Sequence, residues 1–459
     1  MRATRTRPLS YDHTSLSFSL SRSREHTLSR ARLARGADGH PRARARVKWM
    51  ARRLRALVWT GAEQNACCAS NCCALKCTGS CNSTSAFEHV QAQRKFAFML
   101  DPVVQTLMLG LQRVAVNHTV SVGGGRTTKA IFFATTGFGH GDLFVFVGRY
   151  GLLDHNEGSS RALELLRQRG VHTVYYNADP NDCLRTHALP VHEIWDYSYS
   201  TINQCRFAPH LPARPLHTRY VPPGCVRHVS DRNVRACQDR NFTPSAFAVR
   251  ARSGGTKLSM FGVGQARRVS CLHNLSSELR TLQAARSVEE RQWPEHARSP
   301  SPPPQPPLLD IQITNNAWNP KLFEFYVSQS PLTLNLHKEC NGMHRGSHDD
   351  NSDCETFRFA QMLSLGAHVL SEPCPAAEDE REWRGLVDFV PFGNIAAHSV
   401  ALHSDQTSVF RSEAAARARL ERFAAFFEPA RILERAGVDE LARELSIAFE
   451  RSAWRTEVL

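Results

Sequence analysis

A glycine-rich turn followed by two arginines could bind a phosphate group. Gly262 and Gly264 come directly after a short apolar run, and Arg267 and Arg268 follow closely. Glycine lets the backbone approach a ligand, and a guanidinium can donate paired hydrogen bonds to phosphate oxygens. An ordinary turn between a strand and a helix, with exposed arginines, has the same composition. Both interpretations are open from this pattern.

An acidic and a basic residue stand three positions apart at the predicted start of a helix. Glu355 opens this helix, which we expect to end at Gly366, and Arg358 follows. Side chains with this spacing share one helix face, and in the first turn they lie near the N-terminus, where a ribose or a phosphate would bind. A helix-capping glutamate with a local ion pair is the alternative.

A histidine in a second glycine-rich turn is a candidate general base. His140 lies in the turn after an apolar run over residues 129–136, which we predict to be the first strand, and Asp142 follows it. Imidazole titrates near neutral pH and can accept a proton from a hydroxyl group. Asp142 could orient the imidazole or take the proton itself. Because the chain has 21 histidines, a loop histidine without a catalytic role is the alternative.

Two clusters of possible metal ligands lack the spacing of a metal site. Six cysteines within residues 67–81 are spaced by about three residues and have no histidine among them, which favours a flexible linker over a zinc site. A second run lies in a glycine-containing loop and comprises Cys340, His344, His348, Asp349, Asp350 and Asp353. We therefore expect no bound metal. The other eight of the 14 cysteines are scattered, which indicates buried thiols in a reducing compartment.

Positive charge is concentrated at the N-terminus. The formal net charge is +14, and residues 1–57 hold 15 basic and 3 acidic residues. Their Arg- and Ser-rich composition is typical of disorder, and organelle transit peptides are similar. The remaining residues are nearly balanced, so nucleic-acid or membrane binding by the tail is only a subordinate interpretation. No apolar stretch approaches 18 residues, so we expect no membrane span and a cytoplasmic location, unless the tail targets an organelle.

From about residue 120, apolar strands alternate with amphipathic helices. The predicted strands are residues 129–136, 143–147, 171–176, 193–197, 257–261, 308–313, 332–336, 367–370 and 387–390. Strands joined through helices by short links form parallel sheets. The sequence therefore predicts an α/β fold with two Rossmann-like, doubly wound domains and a ligand cleft at the carboxyl ends of their strands.

Composition divides the chain into three segments. Residues 1–90 form a disordered Arg/Ser-rich and Cys-rich extension, residues 91–225 an N-terminal domain and residues 226–459 a C-terminal domain. A proline-rich insertion at 295–307 interrupts the last of these. Its prolines cannot enter a buried sheet, so we expect a surface excursion.

Several strings in the second half resemble one enzyme family. They are Asp310-Ile-Gln-Ile, Leu334-Asn-Leu-His337, Glu355-Thr-Phe-Arg358, the run from Met362 to Glu372, and Val387-Asp-Phe-Val390. In order and spacing they resemble the C-terminal half of group 1 glycosyltransferases of the GT-B fold, and among these the spore-protein CgeB-like branch. The resemblance covers roughly residues 125–450.

The resemblance implies a glycosyltransferase with an N-terminal acceptor domain and a C-terminal donor domain. Its substrates would be a nucleotide-sugar and a glycan or other hydroxyl acceptor, with no cofactor and no metal. Glu355 would bind the donor ribose hydroxyls. The full set of implied donor-binding residues is Gly262, Gly264, Arg267, Arg268, His337, Glu355 and Arg358.

One departure from the family pattern affects the chemistry. Retaining relatives carry two glutamates eight residues apart, and the corresponding positions here are Asp353 and Gln361. A glutamine cannot supply the charge that retaining chemistry of the usual kind needs, whereas an inverting transfer would need a base, for which His140 and Asp142 are the candidates. The sequence leaves retaining and inverting transfer open. A non-catalytic GT-B-like protein that binds nucleotides or glycans is the alternative.

Overall fold

The first sheet consists of six parallel strands. In this computed structural model they are β1 (Leu54–Thr60), β2 (His118–Gly124), β3 (Leu143–Gly148), β4 (His172–Asn177), β5 (Glu193–Asp196) and β6 (His217–Tyr220), in the order β2-β1-β3-β4-β5-β6. Every side chain of β3 is buried. A continuous apolar run of this kind is typical of a parallel strand covered on both faces.

The structure describes a defined part of the chain. The described residues are 54–60, 102–124, 128–148, 157–178, 186–206, 216–230, 233–236, 257–261, 266–292, 310–314, 323, 325–327, 330, 332–336, 354–404 and 413–458. The cysteine cluster at 67–81, the loop with possible metal ligands at 340–353 and the insertion at 295–307 lie outside them.

Strand β1 was not predicted. It lies between β2 and β3, and Ala56 and Val58 are completely buried. The assignment of residues 1–90 to a disordered extension is therefore wrong for Leu54–Thr60. The reason is that an interior parallel strand is stabilised by partners far away in the chain, and these leave no signal in seven residues that directly follow Arg52 and Arg53.

Helices cover the first sheet. They are α1 (102–114), α2 (Thr128–Ala134), α3 (Glu157–Gln168) and α4 (Tyr199–Arg206). The prediction of a strand at 129–136 is wrong, because α2 occupies this segment. Ile131 is fully buried whereas Phe133 is 86% exposed, so only one side of the apolar run faces the protein interior. One-sided burial suits a short surface helix better than a strand covered on both faces.

The second sheet has five parallel strands. They are β9 (Lys257–Phe261), β10 (Asp310–Thr314), β11 (Leu332–Asn335), β12 (His368–Ser371) and β13 (Val387–Phe389), in the order β10-β9-β11-β12-β13. This is the doubly wound order 2-1-3-4-5, and the five predicted strands of this half are confirmed. Before it, β7 (Val226–Ser230) and β8 (Asn233–Ala236) form an antiparallel pair. The helices of the half that contains the second sheet are α5 (Ala266–Gln292), α6 (Thr356–Leu363), α7 (Ala377–Trp383) and α8 (Phe392–Ser404).

The last helices connect the two halves. They are α9 (Glu413–Phe426), α10 (Pro429–Arg435) and α11 (Val438–Val458). Helix α11 packs beside the turn before β3: a Cβ atom at Gly141, where φ is +83°, would lie 2.7 Å from Cβ of Phe449. Helix α11 therefore contacts the first sheet, although the predicted C-terminal domain, 226–459, included it.

Both sheets belong to one compact unit, residues 53–459. A single buried cluster runs from strands β1, β3 and β4 through α10 to Trp383 and Phe359 beside the second sheet. Among the described residues, no helix combines the length and the apolar character needed to cross a membrane. The fold is thus α/β with two Rossmann-like parallel sheets, as predicted.

Candidate functional site

A polar cluster lies at the carboxyl ends of β11 and β12. Asn335 and Ser371 are the last residues of these strands and are fully buried. The Asn335 amide nitrogen donates a hydrogen bond to Oγ of Ser371 over 3.1 Å, and this hydroxyl donates to the carbonyl of Glu372 over 2.9 Å. Strand β11 borders the point where the strand order reverses, which is where doubly wound sheets bind ligands.

The start of α6 adds an ion pair to this cluster. Nη1 of Arg358 lies 2.5 Å from Oε2 of Glu355 and donates to Oδ1 of Asn335 over 3.3 Å. Both charged side chains are 16% exposed. The predicted shared helix face is confirmed. Glu355 is the N-cap residue of α6, but its side chain makes no capping hydrogen bond. Of the alternative interpretation, the local ion pair is therefore present and the capping hydrogen bond is not.

The chemistry of this cluster suits a ligand with hydroxyl and anionic groups. A carboxylate accepts hydrogen bonds from neighbouring hydroxyls, and a guanidinium donates to anionic oxygens. Because Glu355 and Arg358 are mostly buried, their hydrogen bonds to a ligand would be less weakened by water than those of surface groups.

A disulfide lies directly before α6. Cys354 and Cys374 are bonded, with Cα atoms 5.0 Å apart and a sequence separation of 20. The prediction of buried free thiols is wrong for this pair, because cysteines without regular spacing can still meet in the fold. Three further cysteines are also disulfide-bonded: Cys205, Cys225 and Cys271. The Cys354–Cys374 bond connects the residue before Glu355 to the segment after β12.

The other predicted donor-binding residues follow β9 or β11 in the chain. Arg267 and Arg268 are in the first turn of α5, which follows β9 in the chain, and this confirms the predicted strand and helix. Gly262, Gly264 and His337 lie outside the described residues. Within the described part of the chain, no group of three histidine, cysteine or carboxylate side chains could hold a metal ion.

The two candidate bases lie at the amino ends of the strands of the first sheet, not at the carboxyl ends. His140 and Asp142 precede the first residue of β3, so they lie at the amino ends of the strands. The buried Asp142 carboxylate accepts hydrogen bonds from the backbone N–H groups of Arg55 and Gly139 and from the Arg55 side chain. It therefore anchors β1. The expected position facing the cleft is wrong, because the preceding segment is helix α2 rather than a strand leading to the carboxyl edge.

A carboxylate from α7 joins the two halves of the molecule. Asp379 is fully buried and accepts hydrogen bonds from Oγ of Ser198 at 2.9 Å, from the N–H groups of Tyr199 and Ser200 at 3.0 Å, and from Oγ of Ser200 at 3.1 Å. Burial raises the pKa of Asp379, and these hydrogen bonds oppose the rise. The carboxylate thus caps α4 from the other half of the fold.

A second buried carboxyl group ends strand β5. Asp196 accepts hydrogen bonds from the Asn177 amide at 2.7 Å and from the Ser198 N–H at 2.9 Å. Burial raises the pKa of Asp196 to about 8. The two hydrogen bonds oppose this rise, and the negative charge of Asp379 adds to it. At neutral pH Asp196 is therefore mainly protonated.

Sequence reasoning missed Asp196 and Asp379. A signal for Asp196 existed, since it lies near the end of the predicted strand 193–197 and the carboxyl end of a parallel strand is a common ligand position. Asp379 lies on a charged helix, and no local pattern marks it as the partner of a segment 180 residues earlier.

The loop after β5 also reaches α6. The carbonyl of Tyr197 accepts a hydrogen bond from Oγ1 of Thr356 over 3.4 Å, and the Tyr197 ring lies 4.3 Å from that of Phe357. The carboxyl ends of the two sheets therefore meet through the residue that follows Glu355 in the chain.

No family model and no curated protein matches this chain. Among solved structures, a trehalose 6-phosphate synthase of Burkholderia multivorans is 11% identical, covers 88% of this chain and 99% of its own length, and gives a TM-score of 0.41. A glycosyltransferase of Rickettsia africae is 7% identical, with coverages of 85% and 98% and a TM-score of 0.41.

The pneumococcal O-GlcNAc transferase GtfA, solved with UDP and GlcNAc, is also similar. It is 13% identical, with a TM-score of 0.38 and a match to 68% of this chain. The chain covers 59% of the length of that protein. The fold class of this chain rests on its own sheet order, and the CgeB-like branch stays a prediction.

Proposed function

We propose that this protein transfers a sugar from a nucleotide-sugar donor to a hydroxyl acceptor. The observation that carries the proposal is the Glu355–Arg358 pair, which lies beside Asn335 and Ser371 at the carboxyl ends of a doubly wound sheet. A nucleoside diphosphate has ribose hydroxyls and a diphosphate, so it offers partners to both members of this pair.

In this proposal, Glu355 accepts hydrogen bonds from the ribose hydroxyls and Arg358 donates to the diphosphate. The first turn of α5, with Arg267 and Arg268, lies after the neighbouring strand β9 and would add positive charge and N–H groups. The acceptor would approach from the side of the first sheet, whose loop after β5 contacts α6.

A non-catalytic nucleotide- or glycan-binding protein is the second candidate. Two observations favour it: the predicted base, His140 or Asp142, lies at the far edge of the first sheet, and Gln361 replaces the second glutamate of retaining relatives. Both candidates require nucleotide binding, and only the first requires turnover.

Calorimetry with UDP, GDP and ADP tests the shared part. Arg358→Ala and Glu355→Ala should each weaken binding about tenfold to a hundredfold, the effect of one charge-assisted contact. Glu355→Gln keeps the shape of the side chain and should lose less affinity. Arg443→Ala, at a side chain 69% exposed on α11, is the matched control and should bind as the wild type does.

The assay for turnover separates the two candidates. Incubation of the wild type with a panel of nucleotide-sugars, with and without acceptor sugars, should release the nucleoside diphosphate. Nucleotide binding without any release would support the non-catalytic candidate. Equal nucleotide affinity in the wild type, Arg358→Ala and Glu355→Ala, with the fold intact by circular dichroism, would overturn the donor site.

A further inference from the structure

A cavity of about 370 Å³ runs along strand β6, away from the Glu355 cluster. Its walls come from four elements distant in sequence: α4, β6, α7 and α10. Its lining includes Tyr199, Tyr220, Glu382, Ile432 and Arg435. The volume is within the range of about 300 to 1,000 Å³ that is typical of small-molecule sites.

The charges in this cavity are balanced. Nη1 of Arg435 lies 2.5 Å from Oε1 of Glu382. Arg219, also on the wall, donates two hydrogen bonds to Glu193, at 2.7 and 2.9 Å. Each guanidinium therefore has its own carboxylate. An anionic ligand would have to compete with these carboxylates, so the cavity favours a ligand without net charge.

An aromatic platform lies next to the ion pair. The rings of Tyr199 and Tyr220 stack with centroids 3.9 Å apart and planes inclined by 20°. The hydroxyl group of Tyr220 is buried, and Tyr199 is partly exposed. Burial, followed by the charges of Asp379 and Glu382, raises the pKa of Tyr220 far above its usual value, so its hydroxyl stays neutral.

The walls therefore combine three kinds of contact. The tyrosine platform offers a flat apolar face, Ile432 adds aliphatic surface, and the Glu382–Arg435 pair offers adjacent acceptors and donors. A pyranose ring matches this combination because its C–H groups form an apolar face while its hydroxyls, each both donor and acceptor, project around the rim.

We infer that this cavity is a binding site for a neutral pyranose sugar, separate from the proposed nucleotide site. The ring would stack on Tyr199, and two neighbouring hydroxyls would bind the Glu382–Arg435 pair. The segment Asp196–Ser200 separates the two sites, because Tyr197 contacts α6 while Tyr199 lines the cavity. The inference does not depend on nucleotide binding or on turnover.

Saturation-transfer NMR and calorimetry on the full chain test this site. The probes are the methyl glycosides of glucose, galactose, mannose and N-acetylglucosamine, together with β-linked disaccharides to show whether a longer glycan is preferred. We expect saturation transfer from the protein to at least one neutral sugar. Tyr199→Ala and Glu382→Gln should each weaken its affinity at least about tenfold, and nucleotide affinity should not change.

Two further variants keep the test independent of folding. Tyr199→Phe keeps the ring and should retain sugar binding, whereas Trp454→Ala removes an aromatic side chain, 59% exposed, on α11 and should have no effect. No saturation transfer to any of the neutral sugars would overturn the site, as would sugar binding that survives both Tyr199→Ala and Glu382→Gln. Tighter binding of glucuronate or inorganic phosphate than of every neutral sugar would also contradict it.

Discussion

The buried carboxyl group of Asp196 should make the stability of this protein depend on pH. In the native state its pKa is about 8, whereas its ordinary value is 3.8. Between these values the native state holds a proton that the unfolded state releases, so the free energy of unfolding falls as the pH rises. The slope is about 1.4 kcal/mol per pH unit for one proton.

Asp196→Asn is the perturbation that isolates this group. Asparagine has nearly the same shape and does not titrate, so the variant lacks this slope. From pH 5 to pH 7, the stability of the variant relative to the wild type should therefore rise by about 3 kcal/mol. Urea unfolding at pH 5, 6, 7 and 8 measures this difference in the free energy of unfolding. The signal is the fluorescence of Trp195, which is fully buried and precedes Asp196 in the chain.

Glu164→Gln provides the control. The hydrogen bond from Arg167 holds the pKa of this exposed carboxyl group below its usual value, so Glu164 is ionised above pH 5 in both states. Its replacement should shift stability by an amount that does not vary with pH. If wild type and Asp196→Asn give parallel curves between pH 5 and pH 7, Asp196 is ionised in the native state and our account of its environment is refuted.

Three further predictions concern stability. A chain beginning at Arg53 should fold, whereas one that also lacks Leu54–Thr60 should not, because it loses the central strand β1; circular dichroism and gel filtration would show both outcomes. Cys354→Ser should cost about 3 kcal/mol and reduce the effect of reductant on the melting temperature, since Cys354 and Cys374 close a loop of moderate length. Asp379→Ala should cost about 1 to 3 kcal/mol, because it leaves the buried start of α4 without its acceptor, and an unchanged urea midpoint would contradict this.

The sequence by itself determined much of the second half of the chain. The strands β9 to β13 are short apolar runs between turn residues, and the period of such a run is a local property. The positions of Glu355 and Arg358 on one helix face also follow from local geometry, because residues three apart in a helix are neighbours. Their ion pair was therefore predictable before the fold was known.

The tertiary structure decided the features that depend on distant partners. Seven residues after an Arg-rich segment become the central strand β1 only because β2 and β3 align with them. The run before His140 is helical because one side of it faces solvent, and this change moves His140 and Asp142 to the amino edge of the sheet. The spacing of apolar residues in a sequence indicates which side chains are buried, but it does not indicate which other element of the fold covers them.

The junction between the halves was beyond local reasoning for the same reason. Asp379 caps a helix that begins 180 residues earlier, and the two members of the Glu382–Arg435 pair are 53 residues apart. Contacts of this kind depend on the packing of the two sheets, since their energy comes from burial and from hydrogen bonds between elements. The sequence thus determined the elements and the pairing of nearby side chains, and the packing of the two sheets decided which carboxyl groups became buried.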